Sequence, residues 1–244
     1  MNKPIVIQGA LKSELDYLLD FFKFNKKVNL GKCVFYECMY KGYPIIISKT
    51  KMGEIASAIA TTIVIQKYNP LFIINQGTAG AFVEKLNIGD MVLGERIYYI
   101  SQFSTDENKE NEVVNPWKNT EYRTMDNEIV SYKADEKLLD LLKSLEALKK
   151  ENIYFGCIGS GDVWTKNTSQ IKKYNKDFGI MCEAMECSGA YMAANTLQTP
   201  LVSIRVISNN EIKNQPYDNK TDVLSQKLVV EIIDELLEKQ ILLK

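Results

Sequence analysis

The chain has 244 residues, 45% of them apolar and 25% charged, which suits one large globular domain with a substantial core. Its 30 basic and 31 acidic residues leave a formal charge of −1, so there is no basic field for nucleic acid, and no apolar run approaches the roughly 18 residues of a membrane span. Histidine is absent, which excludes Ser-His-Asp and Cys-His nucleophiles and argues against zinc or non-haem iron.

Residues 4–8 form a short apolar strand closed by Gly9-Ala10. Leu11, Leu15, Leu18, Leu19 and Phe22 then have helical spacing, with Glu14 in the first turn of the predicted helix. Residues 33–40 and 43–49 predict a hairpin around Lys41-Gly42. Gly53 opens a small-residue helix over 54–67, which Asn69-Pro70 ends. Residues 71–75 read as a buried strand running into the loop Gln76-Gly77-Thr78-Ala79-Gly80, where glycines let a ligand approach backbone N–H groups.

A strand over 88–101 precedes a polar, aperiodic stretch at 104–126 that includes Trp117 and Tyr122. An insertion of that length reads as a lid, a partner contact or a surface loop. An amphipathic helix over 134–149 and a strand over 153–158 lead to Gly159-Ser160-Gly161-Asp162-Val163-Trp164-Thr165. A further strand over 179–182 follows a short helix near 171–174. Glu183 and Glu186, three apart, are expected to share the first turn of a helix whose small residues Ser188, Gly189, Ala190, Ala193 and Ala194 let it lie close to a sheet. Residues 201–207 predict a central strand ending in Ser208-Asn209-Asn210, and ligands of open α/β sheets bind beyond such ends. A helix over 220–243 covers the sheet.

Taken singly, each of these features has a commoner structural reading. Glu14 reads as a solvated or dipole-pairing glutamate, the glycine loop as a tight turn, and Trp164 as a core residue rather than a platform for a flat ring. The five cysteines lack CxxC or zinc-ligand spacing and read as reduced. The N-terminus lacks the long apolar core of a signal peptide, so a cytoplasmic protein is expected.

In combination and in this order, IVIQGALKSEL, MGEIASAIATT, LFIINQGTAGAF, LNIGDMVLGE, GCIGSGDVW, AMECSGAYMAA and VSIRVISN resemble the nucleoside phosphorylase superfamily. Within it they are most similar to the 5′-methylthioadenosine/S-adenosylhomocysteine nucleosidases. The resemblance implies a single α/β domain over 1–244, with a mixed, twisted central sheet flanked by helices in a three-layer sandwich. It also implies a homodimer that hydrolyses a purine ribonucleoside without metal or cofactor. By the same resemblance Glu14 takes the place of the carboxylate that deprotonates the attacking water. Glu186 stands where the ribose 2′- and 3′-hydroxyls are held, with Met185 beneath the sugar. Thr78, with Ala79, Gly80 and Ser208 beside it, lines the sugar side, Trp164 packs on the purine, and Arg205 supports the pocket from below.

One position departs from this pattern. The nucleosidases carry an aspartic acid that protonates purine N7, and this chain has Asn209. An amide donates a hydrogen bond but delivers no proton, and asparagine here is similar to enzymes of 6-oxopurine nucleosides. Glu211 is a candidate substitute acid. Only three arginines occur, Arg96, Arg123 and Arg205, and Gln8, Lys12 and Gln76 stand where phosphorylases usually place phosphate-binding arginines, which favours hydrolysis over phosphorolysis. A 6-oxopurine hydrolase or phosphorylase, and a nucleoside-binding protein without turnover, are the rival readings.

Overall fold

In the computed structural model, which describes residues 2–101 and 130–241, ten strands join one mixed sheet. The expected insertion at 104–126, with Trp117, Tyr122 and Arg123, lies outside the described residues. The first half of the chain builds β1 (Ile5–Gly9), α1 (Asp16–Phe22), β2 (Lys26–Leu30), β3 (Cys33–Tyr40), β4 (Tyr43–Lys49), α2 (Glu54–Tyr68), β5 (Phe72–Ala81) and β6 (Met91–Tyr99). The second half adds β7 (Ser131–Lys133), α3 (Glu136–Lys143), β8 (Ile153–Ser160), α4 (Thr168–Phe178), β9 (Ile180–Ala184), α5 (Cys187–Thr196), β10 (Leu201–Asn210) and α6 (Asp222–Glu238).

The central strands are continuous apolar runs because helices cover both of their faces. All residues of β1 and all of β10 are buried. Period-two alternation divides the core: Ile5 and Ile7 of β1 pack with Leu18, Phe22, Ile232 and Ile233 of α1 and α6, while Val6 packs on the other face with Val64, Ile65, Ala190 and Tyr191 of α2 and α5. β1 pairs in parallel with β4 and β5, and the β3–β4 and β2–β3 hairpins extend that edge. On the other side β5, β10, β6, β8 and β9 pair in turn, and β9 returns to β5, so five strands close on themselves. Closure gathers the strand ends into one concave region.

The expected hairpin and the 54–67 helix are present, the latter ending at Asn69 in the left-handed conformation before Pro70. Four local readings need correction. The segment Gln76 to Gly80 is strand, not loop, because β10 pairs with it through Gly80 and β9 meets it at Gly80 as well; partner strands on both sides outweigh the glycine turn signal. Glu183 belongs to β9 and Glu186 precedes α5, so the two do not share a helical turn. Glu14 sits in the turn before α1 rather than inside it. The helix expected over 134–149 stops at Lys143, and a short 3-10 turn follows at Glu146–Leu148.

Small residues bring α5 against α2. A Cβ at Gly189 would lie 2.1 Å from the Glu54 carbonyl oxygen. The buried Glu54 carboxylate accepts from the Gly189 N–H and the Ser160 hydroxyl, and Ser188 N–H donates to that hydroxyl at 3.1 Å. Gly189→Ala is therefore expected to destabilise the fold by about 1–3 kcal/mol through overpacking. Denaturant titration followed by circular dichroism reads this directly, and an unchanged midpoint would contradict the close approach.

Candidate active site

The strand ends surround a cavity of about 380 Å³. It is lined by Glu14, Thr78, Ala79, Gly80, Trp164, Met185, Glu186, Ser208 and Asn209, nine of the ten residues singled out from the sequence. Arg205 does not reach it. Met52, Val163, Glu183 and Tyr217 also line it; Glu183 was visible in sequence as half of an acidic pair, but nothing in the aperiodic stretch after β10 marks Tyr217.

Glu14 is buried, and its carboxylate is fixed by backbone from two elements. Oε2 accepts from the N–H groups of Ala10 and Leu11 at 2.8 and 3.0 Å, and Oε1 accepts from Thr78 N–H at 3.1 Å. The carboxylate reaches β5 only because residue 77 is glycine: a Cβ there would lie 2.8 Å from Oε1. The main chain of Glu14 is fixed too, by Gln76 Nε2 donating to its carbonyl at 2.7 Å, while Ser225 Oγ donates to Gln76 Oε1 at 2.6 Å.

Glu186 lies at the head of α5, with Oε1 3.4 Å from Gly53 N and Oε2 3.3 Å from Met185 N. Ser57 Oγ donates to its carbonyl at 2.8 Å and sets the backbone. Burial pushes its carboxyl up to about 7 against the pull of Arg205, and the negative charge of Glu14 adds to the rise. Arg205, fully buried on β10 in register with Gly77, donates to the carbonyls of Asn75 and Ile204 at 3.0 Å and to the Asn75 side chain. Burial works against its charge, but Cys187, Glu186 and Glu14 outweigh that and raise its pKa. It is a counter-charge beneath the acids.

At the other end of the cavity, register aligns Asn209 of β10, Gly80 of β5 and Glu183 of β9 in one row. Glu183 accepts from Thr165 N–H at 2.7 Å and Thr165 Oγ at 2.5 Å, and burial pushes its carboxyl up to about 7. Asn209 Nδ2 and Trp164 Nε1 both donate to Glu211 Oε1 at 2.6 Å. Trp164 is 52% exposed and edge-on to Tyr217, so it is a wall of the cavity and not a core residue. Among the described residues no group of three or more Cys, Asp or Glu side chains has metal-binding geometry.

The raised carboxyls of Glu183 and Glu186 fix the sign of a pH effect. Each is neutral in both folded and unfolded chains well below 4.5, and each ionises first in the unfolded chain as pH rises toward 7. Their contribution to stability is thus fully present below about 4.5 and is lost as pH rises through about 7. Glu183→Gln/Glu186→Gln, which cannot ionise, is expected to flatten the fall in unfolding free energy across that window, measured by urea titration at several pH values. An equally steep fall in the variant would contradict the assignment.

The model of the Phosphorylase superfamily matches residues 4–241. A 5′-methylthioadenosine/S-adenosylhomocysteine nucleosidase of Desulfotalea psychrophila is 27% identical over 236 residues, covering 96% of each chain. The protein of that name from Bacillus subtilis is 25% identical over 239 residues, covering 95% of this chain and 99% of its own. Among solved structures, the nucleosidase of Neisseria meningitidis in complex with methylthio-immucillin-A superposes with a TM-score of 0.76 at 22% identity, over 95% of this chain and 98% of that one. A futalosine hydrolase of Helicobacter pylori superposes with a TM-score of 0.79 at 22% identity, over 97% and 99%. These likenesses establish the fold, and the match over nearly the whole length establishes the lineage: the chain belongs to the phosphorylase superfamily.

Proposed function

We propose that this protein hydrolyses the N-glycosidic bond of a purine ribonucleoside, with 5′-methylthioadenosine or S-adenosylhomocysteine as substrate and adenine as the released base. The observation that carries the reading is the pair of carboxylates facing one cavity: buried Glu14, fixed by three backbone N–H groups, and half-buried Glu186, close enough for their charges to raise the latter's pKa. Cleavage passes through an oxocarbenium-like sugar, which anionic groups near the ring stabilise. In this reading Glu14 takes the proton of the attacking water, and Glu186 accepts from the 2′- and 3′-hydroxyls. Met185 and Thr78 line the sugar, with Ala79, Gly80 and Ser208 as neighbouring wall. Trp164 packs on the base, Asn209 donates to N7, and Arg205 balances the acids from below.

Water is favoured over phosphate as the nucleophile because no lysine or arginine is among the described residues lining the cavity. Gln8 and Gln76, at positions where phosphorylases usually place arginine, are occupied inside the protein with Thr61 and Asn75, and with Glu14 and Ser225. We also read the protein as a homodimer acting in the cytoplasm in methionine salvage. Ile55 and Ile59, one turn apart on α2, and Met192 on α5 are 74%, 51% and 51% exposed, an apolar surface that a second copy would cover. No helix among the described residues is long and apolar enough to cross a membrane.

Asn209 is the one feature that favours a 6-oxopurine substrate. Incubating the protein with methylthioadenosine, adenosylhomocysteine, inosine, guanosine and futalosine, with and without phosphate, separates the readings. Adenine released without phosphate is expected, and Glu14→Gln is expected to lower kcat by about 10²–10⁴-fold. Hypoxanthine or guanine alone, or a strict need for phosphate, would overturn the assignment.

A further inference from the structure

Glu211, one residue past β10, has no part in the chemistry above, yet one of its oxygens holds both side chains assigned to the base. Oε1 lies 2.6 Å from Asn209 Nδ2 and 2.6 Å from Trp164 Nε1. An indole N–H can only donate, so this oxygen is an acceptor, and the end of the Asn209 amide that meets it must be the NH2 group. The other end, Oδ1, lies 3.0 Å from the Ser208 hydroxyl, whose proton it shares with the Ala79 carbonyl at 3.2 Å. A hydroxyl can meet either end of an amide, so it is the Glu211 oxygen that fixes which way the amide points. Glycine at position 80 leaves room beneath: a Cβ there would touch both Asn209 Nδ2, at 3.4 Å, and Glu211 Cγ, at 3.7 Å.

This orientation decides what Asn209 can offer the base end of the cavity, which it lines: Oδ1 is its acceptor and the second N–H its donor. Purine N7 is an acceptor and suits that N–H. A 6-amino group donates and suits Oδ1 beside it, whereas the O6 of a 6-oxopurine would set its lone pairs against Oδ1.

We propose that Glu211 is a positioning and specificity residue, which fixes the Asn209 amide and the Trp164 ring so that the site accepts a 6-aminopurine in spite of the asparagine at position 209. The inference rests on the nucleosidase reading above. It explains how an amide serves where the related nucleosidases carry an acid: by a fixed, carboxylate-polarised hydrogen bond to N7 rather than by proton delivery.

Glu211→Gln keeps the size of the side chain but replaces the charged acceptor with a neutral amide oxygen, so both bonds lose their charge assistance and the hold on both partners is weakened. The test measures kcat/KM for methylthioadenosine and methylthioinosine, which differ only at C6, in the wild-type protein and in Glu211→Gln. It also records the emission of Trp164 in a Trp117→Phe background without ligand. The wild type is expected to prefer the 6-amino substrate, and Glu211→Gln to reduce that preference by about tenfold, the size of one hydrogen bond to a charged group. Trp164 emission is expected to shift in Glu211→Gln and in Glu211→Asp, which keeps the charge but is too short to bridge both partners. An unchanged preference with unchanged emission would overturn the proposal, as would a wild type that prefers the 6-oxo substrate. If the wild type cleaves neither, the nucleosidase reading falls by itself. Calorimetric affinities for the two nucleosides then decide the role of Glu211: loss of the 6-amino preference in Glu211→Gln supports it, and its retention overturns it.

Discussion

The site depends on one contact, the approach of the Glu14 carboxylate to the backbone of β5. Three N–H groups from two separate elements converge on it, and Gly77 supplies the space. A carboxylate so bound is fixed in place before any substrate arrives, which is what a general base acting on a water needs. The surrounding polar residues serve the same geometry: Gln76 holds the main chain of Glu14, and Ser225 of α6 holds Gln76. Helix packing is thereby linked to the orientation of one side chain.

Around that contact the sheet provides the remaining parts at spacings set by register. Closure of β5, β10, β6, β8 and β9 brings residues at or just past the ends of β5, β8, β9 and β10, far apart in sequence, to face a single cavity. The close seating of α5 on α2 at Gly189 places Glu186 at the mouth of α5 beside Gly53. Burying several carboxylates in so small a volume is costly, and the protein meets the cost with Arg205 below them and with backbone donors around them. The upward displacement of Glu183 and Glu186 is the residue of that cost.

Much of this was legible in the sequence, for identifiable reasons. Buried parallel strands are long apolar runs whose ends stand out, which marks Thr78 and Asn209 at strand ends and Trp164 just past one, while Glu14 and Glu186 stand out as acids in predicted first turns of helices; all five line the cavity. Pairing was not legible. The glycines of 76–80 read as a turn because local signals carry no information about β9 and β10 on either side, and the shared helical turn of Glu183 and Glu186 failed because a strand reaches in as far as Ala184. β2, with its mostly exposed residues, has no apolar period to reveal it. Tyr217 and the bridging role of Glu211 come from a stretch without period, where only three-dimensional proximity to Trp164 gives the residues meaning.

The measurement that tests the central contact most directly is the turnover of Gly77→Ala alongside its circular dichroism and its affinity for a non-hydrolysable methylthioadenosine analogue. The added methyl would meet Oε1 of Glu14 at 2.8 Å and force the carboxylate off the three N–H groups while leaving the walls of the cavity in place. Displacement of a catalytic group by about 1 Å costs on the order of 10² in rate. A loss of that size in kcat, with the spectrum and analogue binding retained, is the result predicted. Wild-type kcat in Gly77→Ala would contradict the claim that a carboxylate fixed on the β5 backbone drives the reaction.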